Sequence, residues 1–178
     1  WQDYYGDCFM TRIAILSDTH GYIDDKLFYY LESCDEVWHA GDIGDLDIVD
    51  RLKAKIKSRI VYGNIDNHIL RVSVPEVLVF NCESVKVLII HIAGKMGSYS
   101  PEVRKLIAEH KPGILVCGHS HILKVGFDKK HQLLYINPGA YGVHGFHSVR
   151  TLIRFIIDGK DIKNMEVIEI PRNTNLTV

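Results

Sequence analysis

The first third of the sequence alternates short apolar runs with segments of helical periodicity. Residues 12–16, 36–40 and 59–62 are apolar runs of strand length, while residues 22–33 and 47–57 carry apolar side chains three or four positions apart. Strands that alternate with helices form parallel β-α-β units, because each helix crosses back over the sheet to the start of the next strand. This alternation predicts an α/β fold that begins with a parallel sheet.

The remainder of the chain has a different pattern, in which neighbouring strands are joined by short connections. Strand pairs are predicted over residues 77–80 and 85–92, 122–128 and 132–136, and 151–158 and 165–170, with a buried strand at 114–117. A helix is predicted over 101–110, because Ser100 can cap it and Pro101 stands in its first turn. Two sheets stacked face to face, with helices on the outside, would accommodate both parts of the chain.

The composition is that of a folded protein with an ordinary core. The chain has 178 residues, of which 47% are hydrophobic and 24% charged, and this excludes a disordered chain. A formal net charge of −1 argues against a protein that grips nucleic acid, since that task needs a basic surface. We expect residues 10–178 to form a single domain, and residues 1–9 to be an N-terminal extension or a remnant of cloning.

Two further observations bear on where the protein works. The longest apolar runs, such as residues 85–92, are too short to cross a bilayer, so we expect no membrane partner. The four cysteines form no Cys-x-x-Cys pair, and no signal peptide is recognisable, which together predict a cytoplasmic protein.

Five of the predicted strands end in side chains that can bind a metal ion. These side chains are Asp18 and His20, Asp42, Asn64, His91, and His119 and His121. The carboxyl ends of strands in an α/β sheet meet at one edge, so we expect these groups to converge. Glycine precedes three of the five ends, at positions 41, 63 and 118, where it would let the backbone approach a bound group closely.

Seven ligands suit a pair of ions better than a single ion. Two pairs, Asp18 with His20 and His119 with His121, have members two residues apart. Alternate residues of an extended chain point the same way, so each pair could face one site. A tetrahedral ion takes about four ligands, so seven fit two ions that share a carboxylate, and we predict that Asp42 is the bridge. Each motif alone is common in turns, so the alternative is a set of turns and buried histidines without a ligand.

The ordered set of motifs resembles that of the calcineurin-like metallophosphoesterases. In this chain the motifs are Asp18-x-His20, Gly41-Asp42, Gly63-Asn64, His91 and Gly118-His119-x-His121. The resemblance extends from about residue 11 to residue 170, and the short chain with Asn137-Pro138-Gly139 is similar to the small prokaryotic phosphodiesterase branch. It implies a four-layer α/β/β/α sandwich of two stacked mixed sheets with flanking helices.

The resemblance also implies a dinuclear metal centre in which Asp42 is shared. One ion would be held by Asp18, His20, Asp42 and His121, and the other by Asp42, Asn64, His91 and His119. Histidine, carboxylate and amide ligands suit Mn²⁺, Zn²⁺, Fe²⁺, Ni²⁺ or Co²⁺ better than Mg²⁺ or Ca²⁺. We therefore expect two divalent metal ions as cofactors, with Mn²⁺ as the first choice.

A positively charged pair of ions predicts hydrolysis of phosphate esters. Two ions about 3.5–4 Å apart can hold a shared water as hydroxide, which would attack phosphorus in line with the leaving oxygen. The ions would also neutralise charge on the other phosphate oxygens. We expect a metal-dependent phosphoesterase whose substrate is a small phosphate ester, and the resemblance to the small branch favours diesters.

Two positions depart from the family's pattern. Larger members carry a histidine directly after Gly-Asn, commonly assigned as the general acid, but here Asn64 is followed by Ile65 and Asp66. Asp66 could take that catalytic role beside Asn64, or it could only orient a ligand. Small members often have His-Gly-His where this chain has His91 followed by Ile92 and Ala93, so the loop that would meet the substrate differs.

Other side chains near the motifs have two interpretations each. Lys95 is predicted to contact a substrate phosphate, and the alternative is a solvated loop lysine. His39 could hold a ligand in place or could be a packed core residue. His144 and His147, in a glycine-rich stretch, could line the cleft.

Two other functions fit the same motifs. A eukaryotic retromer subunit resembles this fold and serves mainly as an assembly platform, so one alternative is a non-catalytic protein-interaction scaffold. Nuclease members share the motifs, but the near-neutral charge speaks against a nuclease, and we expect no nucleic acid partner. The presence of all seven ligand types favours a catalytic protein over a scaffold. The sequence leaves open whether the protein forms a homo-oligomer.

Overall fold

The described residues, 10–172 of a computed structural model, contain twelve strands and four helices. In chain order they are β1 (Met10–Leu16), α1 (Asp25–Leu31), β2 (Glu36–His39), α2 (Leu46–Lys55), β3 (Lys57–Ile60), α3 (His68–Ser73), β4 (Val77–Cys82), β5 (Val85–Ile90), β6 (Gly94–Lys95), β7 (Ser98–Tyr99), α4 (Pro101–His110), β8 (Ile114–Val116), β9 (Leu123–Asp128), β10 (Leu133–Pro138), β11 (Val149–Asp158) and β12 (Asp161–Pro171). Residues 1–9 lie outside the described residues, so the division of the chain at residue 10 stays a prediction.

Ten of the strands form two mixed, five-stranded sheets. The first has the order β12-β11-β1-β2-β3, in which β1, β2 and β3 are parallel and β11 and β12 are antiparallel to their neighbours. The second has the order β4-β5-β8-β10-β9, with β5, β8 and β10 parallel and an antiparallel strand at each edge. The parallel start and the three predicted strand pairs are therefore confirmed.

The two sheets are stacked through a core of aliphatic and aromatic side chains. Ile13, Trp38 and Phe155 of the first sheet pack with Val87 and Ile136 of the second, and all five are buried. Alternate residues of a strand face opposite sides, so the neighbours of these residues point to the outer faces.

Helices cover the outer face of each sheet. Leu27 of α1, Leu52 of α2 and Leu70 of α3 pack in one cluster with Leu16 on the first sheet. On the second sheet the outer cluster includes Val103 of α4 and Tyr99 of the small β6–β7 hairpin. The layers therefore run α/β/β/α, as the resemblance implied. No helix within residues 10–172 is long and apolar enough to span a membrane.

Two helical segments differ from the prediction. The helix predicted from residue 22 begins only at Asp25, because the preceding residues are held in a loop by the bond from the Gly21 N–H to the Ile43 carbonyl (2.8 Å). Helix α3 was not predicted, since it is six residues long and buries only Leu70, which leaves no apolar periodicity to detect. Its one sequence signal is the cap Asn67, whose side chain accepts from the Leu70 N–H.

Glu36, at the start of β2, is a buried carboxylate held by three donors. It accepts a hydrogen bond from Trp38 Nε1 at 3.0 Å and pairs with Lys57 and Arg59, each at 2.9 Å. Burial opposes its ionisation, but these donors outweigh the burial and lower the pKa of Glu36. A lowered pKa adds stability above the unfolded pKa of about 4.3, and that stability is lost as the pH falls through the folded value.

We expect Glu36→Gln to lower the free energy of unfolding at pH 7 by about 1–3 kcal/mol, because two cations lose their charged acceptor. The difference from the wild type should start to shrink as the pH falls below about 4.3, and it should be lost once the pH passes below the lowered pKa of the folded carboxyl, where the wild type is protonated as well. Thermal unfolding followed by circular dichroism between pH 3 and pH 7 measures both effects. Glu32→Gln, at an exposed position beside α1, is the control. A difference that stays constant across the pH range would contradict the electrostatic explanation.

Candidate metal centre

The structure brings the seven predicted ligands together at one end of the stacked sheets. Asp18, His20 and His121 form one group, and Asp42, His91 and His119 form a second; within each group the candidate ligand atoms lie within 4.8 Å of one another. Asn64 belongs beside the second group, because its Oδ1 is 3.0 Å from His119 Nδ1. Each group could hold one metal ion.

Asp42 lies between the two groups. Its Oδ2 is 3.6 Å from His20 Nε2 in the first group and 3.2 Å from His91 Nε2 in its own group. Its other oxygen, Oδ1, accepts a hydrogen bond from the Ile65 N–H at 3.1 Å. One oxygen therefore fixes the carboxylate to the protein, while the other faces both groups.

The Asp18 carboxylate, like that of Asp42, has one oxygen fixed by hydrogen bonds and the other oxygen directed at candidate ligands. Its Oδ2 accepts from Ser17 Oγ at 2.7 Å and from the His119 N–H at 3.1 Å, and its Oδ1 lies 3.2 Å from His121 Nε2. Burial opposes ionisation, yet the contacts with His121 and His20 hold the pKa of Asp18 below its usual range. Asp18 is thus a fully buried carboxylate that stays charged.

Three buried polar atoms in the centre have no hydrogen-bond partner: Asp18 Oδ1, His20 Nε2 and His91 Nε2. An unpaired buried polar group costs about 1–3 kcal/mol, so such atoms are rarely left without a partner. A cation held by each of the two groups would give all three atoms a partner. The donor set present in this chain therefore fits a metal site.

His91 is oriented for this role by the backbone. Its Nδ1 is 2.7 Å from the Ala40 carbonyl oxygen, which can only accept, so Nδ1 carries the hydrogen and Nε2 keeps its lone pair. Burial favours the neutral ring, but the Asp42 and Asp18 carboxylates outweigh it and raise the pKa of His91. The contact between His121 and the Asp18 carboxylate likewise raises the pKa of His121. The centre as a whole therefore favours bound positive charge.

The backbone is left-handed at most of the candidate ligands. The φ angles are 54° at Asp18, 45° at His20, 53° at Asp42, 70° at His119 and 60° at His121. Left-handed φ costs about 1–2 kcal/mol at a residue other than glycine and clusters at functional sites. The backbone at these residues is therefore not extended, contrary to what the spacing had suggested. Asp18 and His20 do share one group, as predicted, but His119 and His121 belong to different groups.

Neighbouring loops approach each other closely at the glycines of the motifs. A Cβ on Gly118 would lie 2.7 Å from Asp18 Oδ2, and a Cβ on Gly63 would collide with the carboxylate and backbone of Asp42. Hydrogen bonds join the same loops, as from the Gly118 N–H to the His91 carbonyl at 2.9 Å. Glycine is therefore needed at these positions because a side chain there would collide with the neighbouring ligand-bearing loop. We had expected a different reason, the close approach of the backbone to a bound group.

Asp66, predicted as a catalytic candidate, is tied to the backbone. Its carboxylate is buried and accepts from the N–H groups of Gly63 (2.8 Å), Ile43 (3.1 Å) and Gly44 (2.8 Å). These bonds join the Gly-Asp loop to the Gly-Asn loop. They favour the second of its two predicted roles, in which Asp66 orients ligands and does not donate a proton.

His39 holds the turn that carries Asp42. Its Nδ1 accepts from the Gly41 N–H at 3.1 Å, and its Nε2 lies 3.0 Å from Thr19 Oγ1. Burial lowers the pKa of His39 to about 4, so the ring is neutral at physiological pH. Its two predicted interpretations are therefore compatible, because the ring is buried and also positions the ligand-bearing turn.

The candidate ligands open into a cavity of about 600 Å³. His144 and His147 line it, and their rings contact those of His20 and His121 at centroid distances of 4.8 and 5.7 Å. Lys95 lines a neighbouring cavity of about 540 Å³ that shares His119 with the first. The predicted contact of Lys95 with a phosphate stays a prediction.

Comparison with known proteins agrees with this arrangement. The family model described as the calcineurin-like phosphoesterase superfamily domain matches residues 11–160. A probable metallophosphoesterase of Methanothermobacter thermautotrophicus is 27% identical over 133 residues, which cover 72% of this chain and 76% of the relative.

Two solved structures share the fold. Vps29 of Entamoeba histolytica complexed with Zn²⁺ has a TM-score of 0.67 and 16% identity, over 91% of this chain and 99% of the other. A structure described as a novel archaeal phosphodiesterase has a TM-score of 0.62 and 20% identity, over 89% of this chain and 99% of the other. The match of the family model to most of the described residues, together with the motif residues gathered at the sheet ends, shows that this chain belongs to the calcineurin-like phosphoesterase superfamily.

Proposed function

We propose that this protein is a metal-dependent phosphodiesterase with two divalent ions at the candidate centre. The observation that carries the proposal is the pair of ligand groups that meet at Asp42 Oδ2. The ligands of one ion are Asp18, His20, Asp42 and His121, and those of the other are Asp42, Asn64, His91 and His119. Ions held by these residues would activate a water and would neutralise the charge of a phosphate ester.

Mn²⁺ is the first choice of ion, and Zn²⁺ is the second. The nitrogen and oxygen donors of the centre suit borderline ions of this kind. The likeness to a Vps29 that is described as complexed with Zn²⁺ supports the fit of this fold to a divalent ion.

Asn64 is a proposed ligand that could also contact substrate. It is exposed and lines the cavity beside His119. With its oxygen toward the metal group, its NH₂ group is free to donate to a phosphate oxygen. Asn64 would therefore orient the ester in front of the activated water.

Neither of the two positions that were expected to supply a general acid offers one to the leaving group. Ile65 stands where larger members carry histidine, and Asp66 is held by three backbone amides. Without a positioned acid, departure depends on the stability of the leaving oxygen anion. We infer a preference for diesters with good leaving groups, and the likeness to an archaeal phosphodiesterase supports diesters.

Metal counting and a paired assay test the proposal. Protein purified without chelator and loaded with Mn²⁺ is expected to bind two ions per chain and to hydrolyse bis(p-nitrophenyl) phosphate faster than p-nitrophenyl phosphate. His119→Ala should lose most of that activity, because it removes a ligand of the second group. His110→Ala, at the end of α4, is the matched control and should keep it.

Three other results would contradict the proposal. Two bound ions without turnover of either ester would favour the scaffold alternative. Salt-sensitive cleavage of DNA would favour a nuclease. Faster turnover of the monoester would reject diester preference while leaving a phosphoesterase.

A further inference from the structure

The cavity that Lys95 lines adjoins the cavity that contains the candidate ligands. Its volume is about 540 Å³, within the range of small-molecule sites. His119, Ser120 and Ile122 line both cavities, so they form the boundary between them. A phosphate held at the centre would therefore have one of its ester arms at the mouth of this second cavity.

Apolar side chains form much of its lining. Ile92 and Ile122 are 44% and 67% exposed, although both are large aliphatic residues beside a polar centre. Tyr135 adds an aromatic ring, and its hydroxyl is already used in a 3.2 Å bond to the Gly94 carbonyl. Exposed apolar surface that lines a cavity is typical of a ligand contact.

Two separate elements supply the walls. Met96 stands at the tip of the β6–β7 hairpin and reaches across to Gly126 of β9, where an added Cβ would lie 2.8 Å from its sulfur. Lys95 comes from the hairpin and Lys124 from β9, so each of these two elements contributes one lysine to the lining of the cavity. Among the described residues that line this cavity there is no carboxylate.

We propose that this cavity binds one arm of the phosphodiester, and that the arm has an apolar body and ends in a negatively charged group. This inference rests on the proposed function, because the phosphate at the metal centre places the arm. Ile92, Met96, Ile122 and Tyr135 contact the apolar body. Lys95 and Lys124 pair with its charge, which makes Lys95 a residue that selects the substrate and not a ligand of the reacting phosphate.

Binding of single-arm phosphates tests the inference without relying on turnover. Calorimetry with the Mn²⁺-loaded protein compares inorganic phosphate, methyl phosphate, phenyl phosphate and 4-carboxyphenyl phosphate. Phenyl phosphate is expected to bind at least about tenfold more tightly than methyl phosphate, because the ring is buried in the cavity. The carboxylate should add a further gain of up to about fivefold through the two lysines.

Variants of the cavity distinguish binding of the apolar body of the arm from binding of its charged end. Ile122→Ser should reduce the advantage of phenyl over methyl phosphate, and the exposed position of Ile122 protects the fold from this change. Lys95→Gln and Lys124→Gln should each reduce the carboxylate gain while keeping the phenyl advantage. Lys130→Gln, in the turn between β9 and β10, is the matched control and should change neither.

The outcomes distinguish this inference from the proposed function. Equal affinity for methyl and phenyl phosphate would overturn the arm-binding role while leaving the phosphodiesterase intact. A carboxylate gain that persists in both lysine variants would overturn the charge assignment. Failure of every phosphate to bind would contradict the proposed function itself.

Discussion

If the proposed function is right, Asp42→Asn is expected to remove at least one of the two proposed metal ions and to lower the proposed diester turnover more than about a hundredfold. The Asp42 carboxylate is the group nearest to both ligand sets, with Oδ2 3.6 Å from His20 and 3.2 Å from His91. An amide in its place is neutral, and it cannot offer a shared anionic oxygen to two cations. The metal count and the rate should therefore fall together.

Asp45→Asn is the control for this variant. Asp45 stands three residues further along and is exposed, and its side chain caps α2 by accepting from the Asp47 N–H. Asparagine caps a helix as well as aspartate does, so stability and metal content should be unchanged. The metal content is measured by mass spectrometry, and the bis(p-nitrophenyl) phosphate assay is run, on the wild type, Asp42→Asn and Asp45→Asn. Full activity in Asp42→Asn would end its assignment as the bridging ligand.

Gly63→Ala is expected to destabilise the protein by about 3 kcal/mol and to abolish binding of at least one ion. The new methyl group would collide with the Oδ1 atom and the backbone nitrogen of Asp42. Asp42 Oδ1 also accepts from the Ile65 N–H, so a shift of the carboxylate away from the methyl group would break that bond. The Gly-Asn loop and the Gly-Asp loop would have to separate, and the metal ligands would separate with them.

Gly159→Ala shows how much of that loss comes from adding a side chain to a glycine. Gly159 has a φ of +60° in the β11–β12 turn, and nothing lies within 4 Å of an added Cβ. Only the left-handed backbone opposes this change, at a cost of about 1 kcal/mol, and metal binding should be retained. Thermal unfolding and metal titration measure both variants. If Gly63→Ala were as stable as Gly159→Ala and bound two ions, the close packing of the two loops would not be required for stability or for metal binding.

The elements that periodicity marks were predictable, and the exceptions have a physical reason. Strands β1 and β2 are buried on both faces over continuous stretches and helix α2 is buried on one face, so the apolar runs and the helical spacing record the layers around them. Helix α3 and the β6–β7 hairpin bury too few side chains to leave such a record. Their positions depend on contacts with distant parts of the chain. The cavity that the hairpin helps to form could not be predicted from the sequence for the same reason.

The candidate ligands were predictable for a related reason. Each of them follows a predicted strand, and the carboxyl ends of neighbouring parallel strands meet at one edge of a sheet whatever the loops do afterwards. How the ligands divide was not predictable from spacing, because the local backbone at His119 and His121 is left-handed and turns them into different groups. Asp66 is a similar case, since its three amide partners are brought to it by the folded loops.

The amino-acid sequence by itself determined the α/β pattern and the chemistry carried at the strand ends, because periodicity and residue type are local properties. Only the tertiary structure decided which side chains share a site. The bond from the His119 N–H to Asp18 Oδ2, between residues 101 positions apart, joins the two sheets at the metal centre. Such a contact follows from how the sheets stack, and no short stretch of sequence encodes it.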